Sequence, residues 1–175
     1  TSCLVAAILA ISGISLGERL SFEARPGLEV ILVVDVSNSM LATDVAPSRL
    51  ERARTMARSL VAARPALAWG LVAARGHATL LVPPTDDSAA MDEALDFATP
   101  DAVTSPGTRL GSGIRAAIAA PQAARRIIVL LSDGDDLSAN TGAVAAEARA
   151  LDSPIFALGF GGATPVPVSD AAGQA

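Results

Sequence analysis

Oxygen-bearing side chains stand at alternate positions in the pentapeptide Asp35-Val36-Ser37-Asn38-Ser39. Mg²⁺ prefers about six oxygen ligands in near-octahedral geometry and usually takes only one or two carboxylates. One aspartate followed by two serine hydroxyls suits that preference. The chain contains a single cysteine, Cys3, so it can form neither an internal disulfide nor a cysteine-based zinc site. We therefore expect a hard cation here, either Mg²⁺ or, because the ligand types are the same, Mn²⁺.

Two more oxygen donors follow elements that should lie beside this pentapeptide. Asp133 comes after the apolar run 126–131, and Thr108 lies in a polar loop just before an amphipathic stretch. In a parallel sheet the loops at one edge converge, so segments distant in sequence can meet there. The plainer interpretations are helix caps for the serines and Thr108, and a turn residue for Asp133. The predicted metal ligands are Asp35, Ser37, Ser39, Thr108 and Asp133.

Hydrophobic periodicity predicts the elements that position these residues. Short, mainly apolar runs at 29–36, 126–131 and 154–160 are typical of strands buried on both faces of a parallel sheet. Ser48 and Glu51 form a capping box, and the helix that it begins has Met56 on its apolar face and ends near residue 64. The alternation of strands and helices predicts an α/β fold, with a mainly parallel central sheet and helices on both faces. The other predicted elements are a pair of adjacent strands at 69–74 and 78–82 and helices at 86–97, 110–120 and 142–151.

The first seventeen residues carry no charge, and most of them are apolar. A signal peptide would need a basic start, which this stretch lacks, whereas a membrane helix needs about twenty apolar residues. We expect residues 1–17 to be a truncated or short membrane anchor, with a soluble, core-packed helix as the alternative. Residues 18–28 are predicted to be a linker, 29–160 the folded domain, and 161–175 the start of a truncated continuation.

The charge distribution argues against nucleic acid as a partner. The net charge is −5, whereas basic patches supply most of the affinity of nucleic-acid-binding surfaces. The only adjacent basic pair, Arg125-Arg126, is interpreted as an ordinary strand flank. Asp44 is either an outer residue of the metal site or a turn residue. Asp135 and Asp136 are interpreted as a solvated loop beside the site.

The five ligand positions resemble the metal-ion-dependent adhesion site (MIDAS) of von Willebrand factor A domains. That site has Asp-x-Ser-x-Ser after the first strand, a threonine in a middle loop and an aspartate after a later strand, and this chain has each of them over roughly residues 29–160. The resemblance implies the three-layer, Rossmann-like fold of that family. It also implies a Mg²⁺ ion that keeps one coordination position for a partner's Asp or Glu carboxylate, in a non-enzymatic protein-interaction module.

A narrower resemblance involves three segments outside the ligand positions. Residues 39–53, the run Pro84-Thr85-Asp86-Asp87 and residues 161–168 are similar to bacterial aerotolerance-operon (Bat-type) membrane proteins. This resemblance implies anchoring in the bacterial inner membrane, a periplasmic domain, and a functional link to a MoxR-type AAA+ ATPase and to other von Willebrand A proteins. Arg19 and Arg25 are balanced by neighbouring glutamates, so charge alone does not orient the chain.

Two other functions remain open at this point. An aspartate after a buried first strand is also similar to phosphoaspartyl hydrolases of the haloacid-dehalogenase type. Those enzymes need an acid two positions later, where this chain has Ser37, and a lysine, which this chain lacks altogether. The other possibility is a structural domain whose metal site is vacant.

Overall fold

A central sheet of five strands organises the part of the chain that the computed structural model describes, residues 27–136 and 140–162. The strands are β1 (Leu28–Asp35), β2 (Ala68–Ala74), β3 (Ala78–Thr85), β4 (Arg125–Ser132) and β5 (Ile155–Gly159). Their spatial order is β3-β2-β1-β4-β5. β1 pairs in parallel with β2 and β4, and β4 pairs in parallel with β5, whereas β3 runs antiparallel to β2. The predicted α/β fold with a mainly parallel sheet is confirmed.

Helices cover both faces of this sheet, as predicted. They are α1 (Arg49–Ala63), α2 (Ser88–Phe97), α3 (Leu110–Ala119) and α4 (Thr141–Ala150), with short 3-10 turns at Asn38–Leu41 and Pro100–Ala102. One core lies between the sheet and the α1–α2 layer, and a second lies between the sheet and the α3–α4 layer. Because β1 is the middle strand and is buried against both layers, its carboxyl end lies between the loops of its two neighbouring strands.

Several predicted boundaries are corrected by local contacts. β1 begins at Leu28, so the predicted linker 18–28 is one residue too long at that end. α2 begins at Ser88 rather than residue 86, because the Asp87 carboxylate accepts hydrogen bonds from two backbone N–H groups and acts as its N-cap. Ser48 does cap α1, but the Glu51 carboxylate contacts Arg54 instead of closing the box. Met56 was wrongly assigned to the apolar face, since it is 42% exposed.

At the amino-terminal edge of the sheet, Arg126 is a structural residue and not the strand flank that the sequence suggested. It is 1% exposed, and its Nε donates to Oε1 of Glu29 at 2.7 Å, a carboxylate that is equally buried. The guanidinium also donates to the carbonyls of Ala117 and Ala120, at 2.6 and 3.0 Å. These carbonyls belong to the end of α3, where helical partners are lacking. One arginine therefore neutralises a buried carboxylate and caps a helix.

No helix within the described ranges is both long and apolar enough to cross a membrane. The predicted membrane anchor at 1–17, the linker up to residue 26 and the extension beyond residue 162 lie outside the described residues. Those assignments stay predictions.

Candidate metal centre

The last residue of β1, Asp35, forms the floor of the candidate site. It is fully buried, and it lies between the ends of β2 and β4. Its Oδ1 accepts the backbone N–H of Ser37 at 2.9 Å, and its Oδ2 accepts the Ser132 hydroxyl at 2.7 Å. Burial raises the pKa of Asp35, and these neutral donors offset the rise only in part. Within the described ranges no cationic side chain pairs with this carboxylate.

The two serines of the pentapeptide, Ser37 and Ser39, follow Asp35 in the loop after β1. Their hydroxyl oxygens are 2.9 Å apart. Ser37 is the N-cap of the 3-10 turn Asn38–Leu41, yet its side chain makes no capping hydrogen bond. Met40 in that turn is fully buried and packs in the core on the α1 side, which fixes the loop to the domain. The geometry therefore does not favour the helix-cap interpretation, and both hydroxyls face one another at the sheet edge.

Thr108 lies outside α3, so it is not the cap of that helix. The capping position belongs to Arg109, and Thr108 precedes it as a buried residue. The loop is fixed by backbone hydrogen bonds to the turn after β2: Gly76 N–H to the Ser105 carbonyl at 3.2 Å, and Arg109 N–H to the Arg75 carbonyl at 2.9 Å. Because β2 ends beside β1, these bonds hold Thr108 at the same sheet edge as Asp35.

The Arg75-Gly76 turn is what joins this loop to the pentapeptide. Arg75 Nη2 donates to Oδ1 of Asn38 at 2.8 Å, and its Nη1 donates to the Pro100 carbonyl at 3.1 Å. A Cβ atom at Gly76 would lie 2.0 Å from the Pro106 carbonyl oxygen, so only glycine allows the two backbones to approach so closely. Arg75 therefore joins the pentapeptide loop to the loop that begins at Pro100. Because Gly76 has no side chain, its backbone can pack directly against that of Pro106.

Asp133 enters the site from β4 and already has a cation beside it. Arg49, the first residue of α1, donates from Nη1 to Oδ2 of Asp133 at 2.8 Å. The same guanidinium binds Asp44 in a bidentate manner, from Nε at 2.8 Å and from Nη2 at 2.9 Å. Asp44 also accepts the backbone N–H of Gly162. Arg49 and this N–H lower the pKa of Asp44 to about 2, and the two carboxylates raise the pKa of Arg49. Asp44 is thus linked to the site through Arg49 and is more than a turn residue.

Of the two acids that follow, only Asp135 fits the expectation of a solvated loop. Asp135 is exposed. Asp136 instead accepts the backbone N–H of Leu110 at 3.3 Å, and the hydroxyl of Thr141 donates to it. A carboxylate at the start of α3 is favoured by the helix dipole. Asp136 therefore connects the β4 loop to the helix that follows Thr108.

The hydrogen bonds above bring the three loops to one edge of the sheet, and the donor set suits a hard cation. The set combines a buried carboxylate without a cation, a facing pair of serine hydroxyls, a buried threonine and a second carboxylate. Within the described ranges there is no group of three or more His, Cys, Asp or Glu residues that could hold a metal. An ion at this edge would therefore depend on the hydroxyls, which is compatible with Mg²⁺ or Mn²⁺. That these residues bind a metal stays a prediction.

Sequence reasoning missed the residues that support this set: Ser132, Arg75, Gly76 and Arg49. One signal was available for Arg49, because a cation in the first turn of a helix opposes the helix dipole and calls for a compensating carboxylate. The others depend on pairings across the sheet that no local pattern encodes.

Comparison with known proteins gives matches over this part of the chain. The family model described as von Willebrand factor type A domain matches residues 30–135. A UPF0353 protein from Mycolicibacterium paratuberculosis is 37% identical, in an alignment that covers 81% of this chain and 50% of the relative. The chain spans about half the length of the curated relatives it matches.

Two solved structures are similar in both sequence and fold. BatB, a conserved hypothetical protein from Bacteroides thetaiotaomicron, is 32% identical with a TM-score of 0.72, over 76% of this chain and 66% of that one. An aerotolerance-related membrane protein from Bacteroides fragilis is 29% identical with a TM-score of 0.74, over 85% of this chain and 79% of that one.

Proposed function

Because the chain belongs to the von Willebrand factor type A domain family, whose domains are known as protein-interaction modules, we propose that it is a metal-dependent module of this kind. It binds a carboxylate of a partner protein through a Mg²⁺ ion, with Mn²⁺ as a substitute. The ion is held by Asp35, Ser37, Ser39, Thr108 and Asp133.

The observation that carries this proposal is the environment of Asp35. A carboxylate that is fully buried, with a backbone N–H and serine hydroxyls as its donors and no cationic partner among the described residues, is expensive to ionise. A divalent cation removes that penalty. Once bound, a divalent ion would supply a positive charge that attracts a carboxylate from outside the chain.

The residues around the ion set what can enter. Ser37, Ser39 and Thr108 add neutral oxygens, so the two aspartates are the only charged ligands and the ion stays attractive to a further anion. The proposed role is not enzymatic, since the position where a phosphoaspartyl hydrolase needs an acid is Ser37, whose hydroxyl lies against that of Ser39.

The proposed setting is the periplasmic side of the bacterial inner membrane. Its support is the similarity to an aerotolerance-related membrane protein. A MoxR-type AAA+ ATPase and other von Willebrand A proteins are proposed as functional partners, and nucleic acid is not.

The test uses two peptides that differ only in one Asp or Asn side chain, immobilised and exposed to the full chain. We expect retention on the Asp peptide in millimolar Mg²⁺, loss in EDTA, and recovery when Mg²⁺ is restored. Asp35→Asn should abolish retention on the Asp peptide. Asp152→Asn, which removes an exposed carboxylate, should be retained as the wild type is.

A thermal melt complements the peptide test because it needs no partner. A ligand that binds only the folded state raises its stability, so Mg²⁺ should raise the Tm of the wild-type chain and of Asp152→Asn but not of Asp35→Asn. Retention that survives EDTA, or an undiminished Mg²⁺ response in Asp35→Asn, contradicts the proposed function.

A further inference from the structure

Arg49 places a permanent positive charge on one of the proposed ligands. Its Nη1 donates to Oδ2 of Asp133 at 2.8 Å, and the Asp133 side chain is only 3% exposed. Arginine stays protonated in folded proteins, so this charge cannot be lost by titration. A divalent ion that approaches Asp133 therefore meets a fixed cation that already occupies the same carboxylate.

A second carboxylate holds this guanidinium in place. Nε and Nη2 of Arg49 each donate to one carboxylate oxygen of Asp44. This bidentate pair leaves Nη1 free to donate to Asp133. Asp44 is itself held by the backbone N–H of Gly162. If Asp133 leaves Arg49 for a metal ion, the guanidinium keeps two charge-assisted hydrogen bonds.

We propose that Arg49 is a tethered counter-cation that sets the affinity of the site for divalent ions. Without an ion it neutralises the buried Asp133. When an ion takes over that carboxylate, Arg49 remains on Asp44 and repels the ion from close range. This inference rests on the proposed function, because it assigns a role toward the same metal.

The opposite role would be an orienting one, in which Arg49 fixes Asp133 in the geometry that the ion needs. The two roles predict opposite signs. Removing a counter-cation tightens metal binding, whereas removing an orienting residue weakens it.

The experiment measures Mn²⁺ affinity of the full chain from the loss of the free-ion signal in electron paramagnetic resonance, with Mg²⁺ as competitor. We expect Arg49→Gln to tighten binding by about tenfold, since a unit charge so close to a divalent ion is worth 1.4 kcal/mol or more. Arg64→Gln is the matched control. It removes the same charge at the exposed, far end of α1 and should leave the affinity unchanged.

Asp44→Asn tests the tether. It removes the charge that competes with Asp133 for Arg49, so the guanidinium binds Asp133 more strongly and metal affinity falls severalfold. The opposite signs of Arg49→Gln and Asp44→Asn separate this mechanism from general damage to the loop, which would weaken binding in both. Circular dichroism confirms that each variant is folded, and Mg²⁺ should raise the Tm of Arg49→Gln more than that of the wild type.

The possible outcomes distinguish the proposed metal site from the proposed counter-cation. If the wild type binds Mn²⁺, Asp35→Asn does not, and Arg49→Gln binds no more tightly than Arg64→Gln, the counter-cation is wrong and the metal site stands. If neither the wild type nor Arg49→Gln binds at millimolar concentrations, both proposals are wrong. Binding by Arg49→Gln alone supports the counter-cation.

Discussion

The two ends of β1 each bury a carboxylate, but within the described ranges only one of the two has a cationic partner. At the amino end, Glu29 is 1% exposed and receives Nε of Arg126 at 2.7 Å. At the carboxyl end, Asp35 is fully buried, and its donors among the described residues are uncharged: a backbone N–H and serine hydroxyls. The same strand therefore carries one neutralised acid and one acid that lacks a counter-charge within the described ranges.

The paired Glu29 and the unpaired Asp35 have different consequences for the folded domain. A buried ion pair with all of its hydrogen bonds made is closed to solutes and contributes to the fold. A buried acid without a cation weakens the fold unless something outside the chain neutralises it. Asp133 stands between these cases, because it shares a cation with Asp44. The amino end is thus closed by an ion pair, whereas the carboxyl end is where the proposed ligand would bind.

The largest loss of stability should come from breaking the ion pair at the amino end of β1. Arg126→Met leaves the buried Glu29 without a cation and the last carbonyls of α3 without their donor. We expect the free energy of unfolding to fall by about 3–5 kcal/mol, measured by urea denaturation followed by circular dichroism. The neighbouring Arg125→Met is the control, because that arginine is 66% exposed and pairs only at the surface with Asp152. Its effect should stay below about 1 kcal/mol. Equal effects of the two substitutions would remove the contrast between the ends.

A smaller loss of stability should follow from moving the loop that carries Thr108, near the carboxyl end of β1, without changing any charge. Gly76→Ala places a methyl group 2.0 Å from the Pro106 carbonyl oxygen. We expect a loss of about 1–3 kcal/mol and weaker Mn²⁺ binding, because the loop that carries Thr108 must shift. Gly142→Ala adds the same methyl group where nothing lies within 4 Å and serves as the control. Unchanged Mn²⁺ affinity in a folded Gly76→Ala chain would show that Thr108 is not a ligand.

The smallest effect should be a gain in stability. Asp35→Asn removes the charge that burial disfavours, so in EDTA near neutral pH its Tm should exceed that of the wild type. The pH dependence has a definite sign. Burial raises the pKa of Asp35, so the penalty is absent below the unfolded pKa of about 4 and is complete above the folded pKa. The gain should therefore disappear in acid, and a lower Tm for Asp35→Asn at neutral pH would contradict the interpretation.

Local patterns were sufficient to predict the strands and helices and the polar residues that follow the ends of the strands. The apolar runs that end at Asp35 and before Asp133 predicted two strands, and a parallel sheet requires their loops to meet. The capping interpretation of Thr108 failed because Arg109 takes that position. Boundaries shifted where a side chain such as Asp87 captured backbone donors, a contact whose exact position the period of the helix does not fix.

The order of oxygen donors along the chain follows from the sequence, since residue type and spacing are local properties. Which of these donors are neutralised depends on the fold. The pairing of Glu29 with Arg126 joins residues 97 positions apart, and that of Arg49 with Asp133 joins residues 84 apart. Charges interact through space and according to burial, and neither distance nor burial follows from position in the chain. That is why Arg126 resembled an ordinary flank, and why the isolation of Asp35, the feature on which the proposed function rests, was visible only in the folded domain.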